Sequence, residues 1–136
     1  MKAKSLGTLV LALVASLAAS APVFGHHGTA AFETEKKLTM KGTVTNWVWS
    51  NPHCILQFDA KDESGNTVRW TTELSNPSDM TNVGWTKQTL KIGDEITVVV
   101  FPVKNGKPIG RIYTVTLADG HTLANGFGST PVPSKQ

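Results

Sequence analysis

An all-β domain with one short helix is what this sequence predicts, and three observations predict it. From Leu38 onward, runs rich in β-branched and aromatic residues alternate with tight-turn chemistry. One segment, Asn76-Pro77-Ser78-Asp79, instead carries the residue order that opens a helix. The 111 of 136 residues that follow Gly25 suffice for a single domain, which buries roughly two-thirds of its unfolded surface.

Strand one is expected over Leu38 to Trp49, with Gly42 as the place where it bends. Ser50-Asn51-Pro52-His53 is turn chemistry. Strand two, Cys54 to Lys61, alternates Leu56, Phe58 and Ala60 against Ile55, Gln57 and Asp59. Asp62 to Asn66 forms a hairpin loop, and Thr67 to Leu74 is strand three. Asn76 then caps the helix, Pro77 takes its first position, and Asp79 meets the positive first turn. Gly84 ends it after about two turns. Ile92-Gly93-Asp94-Glu95 turns into strand four, Ile96 to Val103, and Asn105-Gly106 signals a tight hairpin. Strand five runs from Ile109 to Leu117 and is closed by Ala118-Asp119-Gly120. The expected core is Leu56, Phe58, Ile96, Val98 and Val100.

The order β-β-β-α-β-β is that of a five-stranded OB-fold-like barrel, in which a long bent first strand pairs on both sides. The short helix plugs one end. A two-sheet sandwich is disfavoured because so few strands rarely make one. The segments are therefore 1–25 as a signal peptide, 26–37 as an extended N-terminal stretch, 38–124 as the barrel and 125–136 as a loose tail.

The signal peptide reading rests on Lys2 and Lys4, the apolar run Leu6 to Ala19, and the small residues Val23 and Gly25. Cleavage after Gly25 leaves a chain that starts His26-His27. A cut after Ala21 also satisfies the small-residue rule, but it places Pro22 where a protease accepts it poorly. The apolar run is too short and interrupted to span a bilayer, which takes about 20 apolar residues. No cysteine follows it for a lipid anchor. A soluble periplasmic or secreted protein without membrane anchor is expected.

Charge changes with the signal gone. The full chain carries 13 basic and 10 acidic residues, and loss of Lys2 and Lys4 leaves a balance of +1. That gives no support for nucleic-acid binding, which needs a clustered basic face. Cys54 is the only cysteine, so no internal disulfide can form.

Six short motifs occur in one order: His26-His27, Gly42-Thr43-Val44, Asn51-Pro52-His53, Gly84-Trp85-Thr86, Leu90-Lys91-Ile92-Gly93-Asp94 and Thr116-Leu117-Ala118-Asp119-Gly120. In this the chain resembles a family of small exported bacterial proteins known as domain of unknown function 6152. The resemblance implies a periplasmic location and a small β-barrel, and carries no activity with it. Cys54 departs from the pattern, which has an apolar or aromatic residue after Asn-Pro-His.

Two constellations remain as candidates for function. A free α-amine beside the imidazoles of His26 and His27 offers a nitrogen-rich site for copper or zinc, with His53 as a further ligand. Strand directions put His53 and His121 at one end of the barrel and the mature terminus near the other. His53 is accordingly expected as a turn residue bonded to a backbone carbonyl, and His121 as an exposed loop residue. The second constellation is Trp47, Trp49 and Trp70, a face for an extracytoplasmic sugar, peptide or protein in a metal-free module. Against it stands the commoner use of tryptophan in burial. Cys54 is expected to face the core with Leu56 and to be inert. No nucleophile elbow, phosphate loop or HExxH motif occurs, and Glu73 and Asp94 lack an evident partner, so catalysis is not expected.

Overall fold

A computed structural model describes residues 31–127. The expectations for residues 1–25, for His26 and His27, and for the tail beyond Phe127 lie outside the described residues. In chain order the elements are β1 (Leu38–Val48), β2 (Ile55–Lys61), β3 (Thr67–Glu73), α1 (Pro77–Asn82), β4 (Glu95–Pro102), β5 (Ile109–Thr116) and β6 (Thr122–Ala124).

The sheet order is β3-β2-β1-β4-β5-β6 with an additional β3–β5 pairing, so five strands close into a barrel and β6 lies outside the closure. All neighbours are antiparallel except at that seam, where Thr71, Thr72 and Glu73 run parallel to Ile109, Gly110 and Arg111. β1 is shared as expected: its first half pairs with β4 and its second half with β2. The five-stranded, OB-like barrel with one helix is therefore the observed fold. β6 was not expected. It is three residues long with one buried apolar side chain, Leu123, too short to leave a period-two signal.

Along β2, Leu56, Phe58 and Ala60 face inward, and β4 supplies Ile96, Val98 and Val100. Ile112 and Val115 from β5 complete the wall. The bend in β1 falls at a β-bulge between Val44 and Asn46, three residues beyond Gly42. Gly42 has a different reason for being glycine: a Cβ there would come within 2.6 Å of the Phe58 ring. Asn76 caps α1 as the sequence indicates, its Oδ1 accepting from the Asp79 N–H at 3.0 Å, and Met80 plugs the barrel fully buried.

Candidate functional site

The bulge in β1 decides where the tryptophans point. Without it, strict alternation from buried Val44 would send Asn46 and Val48 inward; the extra residue, Thr45, shifts the parity. Trp47 consequently pairs with buried Leu56 and joins the inner face. Its ring lies 5.8 Å from Trp49 and 5.5 Å from Trp85, which is wholly buried. The indole N–H groups of Trp47 and Trp85 are both satisfied. Trp47 Nε1 donates to the Lys87 carbonyl at 3.1 Å, and Trp85 Nε1 to the Ala124 carbonyl at 2.8 Å.

Trp70 also turns inward. It pairs with Phe58 across β2–β3 and stacks on it, ring centroids 6.5 Å apart and planes 5° from parallel. Trp47, Trp49 and Trp70 are all partly buried against the core. The outward side of β1–β3 carries polar ladders instead. Asn46 donates to Gln57, which donates to Thr71, and Arg69 holds Asp59 through two bonds of 2.8 and 2.9 Å. The Arg69 guanidinium keeps the Asp59 carboxyl below its ordinary range.

The other candidate residues meet at the start of β2. Cys54 exchanges backbone hydrogen bonds with Ser75 and Leu74, which seats its side chain in the core at 0 % exposure. Burial pushes its thiol pKa up, against a smaller opposing contribution from the Ser50 backbone. Such a thiol is a poor nucleophile. His53, one residue earlier, is half-buried, with its ring 5.6 Å from that of Phe127. Its carbonyl accepts from the Ser50 hydroxyl, but its buried Nδ1 meets no partner, contrary to the expected bond to a carbonyl. Among the described residues, only Thr45 Oγ1 at the bulge shares that condition. Buried polar atoms without partners are rare enough to mark a site for scrutiny.

Phe127 is brought to His53 by a tied-down chain. Asn125, which opens the stretch expected to be loose, is buried. Its side chain accepts from the Ser75 N–H at 2.9 Å and donates to the Ile112 carbonyl at 2.6 Å. At Gly126 the chain passes so close to α1 that a Cβ would sit 2.9 Å from Asp79.

Arg111 links this series of contacts to the segment just before β1. It is ion-paired to Glu73 at 2.6 Å across the β3–β5 seam. Its guanidinium carbon lies 4.5 Å from the Phe32 ring centre and 4.6 Å from that of Phe127. Phe32 is buried and bridges to Val103, while Glu33 N–H donates to the Pro102 carbonyl at 2.8 Å. Lys37 fastens the same segment again, its Nζ 3.8 Å from the Tyr113 ring centre.

This arrangement brings the described segment just before β1, through Phe32, Arg111 and Phe127, toward the His53 end of the barrel; where His26 and His27 lie is outside the described residues. The parallel seam sets the start of β5 beside the end of β3, and so beside the start of β2. The segment before β1 enters along the end of β4, next to the start of β5. Strand direction alone did not register this offset around a closed, tilted barrel. His121 is exposed as expected, but it belongs to the β5–β6 turn, at the far end of β5 from Arg111. It is not gathered with His53. Nothing in the sequence singled out Phe32, Arg111, Phe127 or the burial of Trp85.

Among the described residues, no three His, Cys, Asp or Glu side chains are grouped to hold a metal ion. The barrel alone therefore offers His53 and no complete ligand set. No helix among them is long and apolar enough to cross a membrane. A family model described as "Family of unknown function (DUF6152)" matches residues 12–112. No curated protein and no solved structure matches the chain.

Proposed function

This chain belongs to the DUF6152 family, and we propose that it is an exported β-barrel protein that holds copper, or alternatively zinc, with His26, His27 and His53. Export is supported by the charged start, apolar run and small residues before His26. Cleavage after Gly25 leaves an α-amine beside two imidazoles, a nitrogen set suited to Cu(II).

One observation carries the reading: contacts of 4.5, 4.6 and 5.6 Å lead from the Phe32 ring through Arg111 and Phe127 to the His53 ring. Phe32 lies five positions after His27, and an extended chain covers about 17 Å over that interval. That chain length is compatible with terminal nitrogens meeting an imidazole whose Nδ1 has no hydrogen bond to give up, which supports the reading. The metal-free alternative draws less support, because Trp70 lies on Phe58 and the outward side of β2–β3 carries no aromatic side chain.

The test is isothermal titration of Cu(II) and Zn(II) into signal-free protein at neutral pH. The wild type binds more tightly than the His26→Ala/His27→Ala variant, and one extra residue before His26 weakens the site. Binding declines below about pH 6, because imidazole must be deprotonated to act as a ligand. Equal affinity for wild type and double variant refutes the reading. Intact mass of protein recovered from the periplasm tests export, and retention of residues 1–25 would contradict it.

A further inference from the structure

We infer that Asn105-Gly106, in the turn of the β4–β5 hairpin, is a self-modification site: it loses ammonia to become aspartate or isoaspartate, and the isoaspartate form loosens the hairpin's hold on the segment before β1. The inference stands apart from the metal reading. In the reaction the Gly106 backbone nitrogen gives up its proton and attacks Asn105 Cγ. A C–N bond forms, the Cγ–Nδ2 bond breaks, and Nδ2 takes a proton from water and leaves as ammonia. Water then opens the cyclic imide at either carbonyl, giving aspartate or, with the main chain rerouted through Cγ, isoaspartate.

The turn favours this attack in several ways. Asn105 and Gly106 are both exposed, and nothing lies within 4 Å of where a Gly106 Cβ would stand. The Asn105 Oδ1 accepts from the Lys107 N–H at 3.1 Å, which draws charge from the side-chain carbonyl and makes Cγ more electrophilic. The Gly106 N–H donates to the Val103 carbonyl at 3.4 Å, too long to hold its proton firmly. Lys104 and Lys107 flank the pair, and their charges favour an anionic nitrogen.

The same dipeptide recurs as Asn125-Gly126, and there the fold opposes the reaction. Asn125 is buried, its Oδ1 accepting from the Ser75 N–H at 2.9 Å and its Nδ2 donating to the Ile112 carbonyl at 2.6 Å. The leaving nitrogen is therefore held, and Gly126 is packed against Asp79. Asn51 and Asn76 precede proline, which has no N–H to lose. Asn46, Asn66 and Asn82 precede Trp47, Thr67 and Val83, whose side chains obstruct the nitrogen.

What the hairpin holds makes the site consequential. The Lys104 N–H donates to the Ala31 carbonyl at 3.2 Å, and Val103 bridges to Phe32. Isoaspartate adds an atom to the main chain immediately after Lys104 and removes the side-chain carbonyl that the Lys107 N–H bonds.

The test incubates the purified full chain at neutral and mildly alkaline pH, folded and in denaturant. Peptide mass mapping follows each asparagine, and fragmentation tells isoaspartate from aspartate. In the folded protein Asn105 should convert and Asn125 should stay intact, whereas in denaturant both convert. The Asn105 rate should rise by up to about tenfold per pH unit, because each unit multiplies the deprotonated amide by that factor. Asn105→Gln should fold and lose the reaction, since its longer side chain must close a larger ring. Hydrogen exchange then compares the isoaspartate form with fresh protein, and the Lys104 amide should exchange faster. An Asn105 that stays intact in the folded protein while it converts in denaturant would overturn the site. Equal rates at Asn105 and Asn125 in the folded protein would do the same. Unchanged exchange at Lys104 would overturn the effect on the hairpin.

Discussion

The tryptophan end of the barrel and the His53 corner are built from similar materials to opposite effect. Around Trp85, the indole N–H groups of Trp47 and Trp85 each find a carbonyl, and the two rings pack at a tilt of 33° with centroids 5.5 Å apart. The one buried polar atom left over near it is the Thr45 hydroxyl at the bulge. At the His53 corner, aromatic rings again do the packing, but they converge on a guanidinium and an imidazole, and one imidazole nitrogen has no partner. Aromatic residues in a small barrel thus report burial first. A buried nitrogen without a partner is the more specific sign of function.

The sharpest way to break that comparison is to truncate one residue in each region. Trp85→Ala should lower unfolding stability by about 3–5 kcal/mol, as should Phe58→Ala, because both side chains are wholly buried. His53→Gln should move it by less than about 1 kcal/mol, since no Nδ1 hydrogen bond is lost. Chemical denaturation read by fluorescence checks all three. A large loss at His53 would make the corner part of the structural core.

Gly42→Ala tests the interior from the other side. The added Cβ must displace the Phe58 ring, which it would meet at 2.6 Å, at an overpacking cost of roughly 1–3 kcal/mol. An unchanged denaturation midpoint would show that β1 can move away from β2 freely.

What could be read in advance follows from signal length. β1 to β5 have seven or more residues each, long enough for alternation and turn chemistry to agree, and the Asn76-Pro77-Asp79 helix start is complete in four residues. The bulge at Thr45 leaves no such mark, and one extra residue there turned Trp47 from the outside to the inside. The site was legible only as separate residues. His53 could be named from its type, but its place near Arg111 and Phe127 depends on the β3–β5 seam, a pairing between strands far apart in sequence. Phe32, Arg111 and Phe127 read individually as ordinary apolar and charged residues. Their meaning lies in the stack.

The smallest expected effect concerns acid. Asp59 is held below its ordinary value of 3.8 chiefly by Arg69, and Asp62 chiefly by the Asn66 backbone N–H. Their contribution is therefore present above pH 3.8 and is lost as pH falls through the lowered values. Asp62 is exposed and the Asp59–Arg69 pair lies on the solvent side of the sheet, so Arg69→Gln should flatten the acid limb of a stability–pH curve only slightly and leave neutral stability nearly unchanged. A marked loss at pH 7 would mean that the outer polar ladder contributes more than solvent screening allows.

The central claim is that His53 and the terminal histidines act as one site, and a double-mutant cycle on Cu(II) affinity tests it most directly. The four proteins are wild type, His53→Gln, His26→Ala/His27→Ala, and the variant combining all three substitutions. Each partial variant should bind more weakly than wild type, and the combined variant should be little weaker than His26→Ala/His27→Ala, because residues sharing one ligand are coupled. Losses that simply add, or a His53→Gln variant with wild-type affinity, would contradict the account and leave His53 outside any metal site.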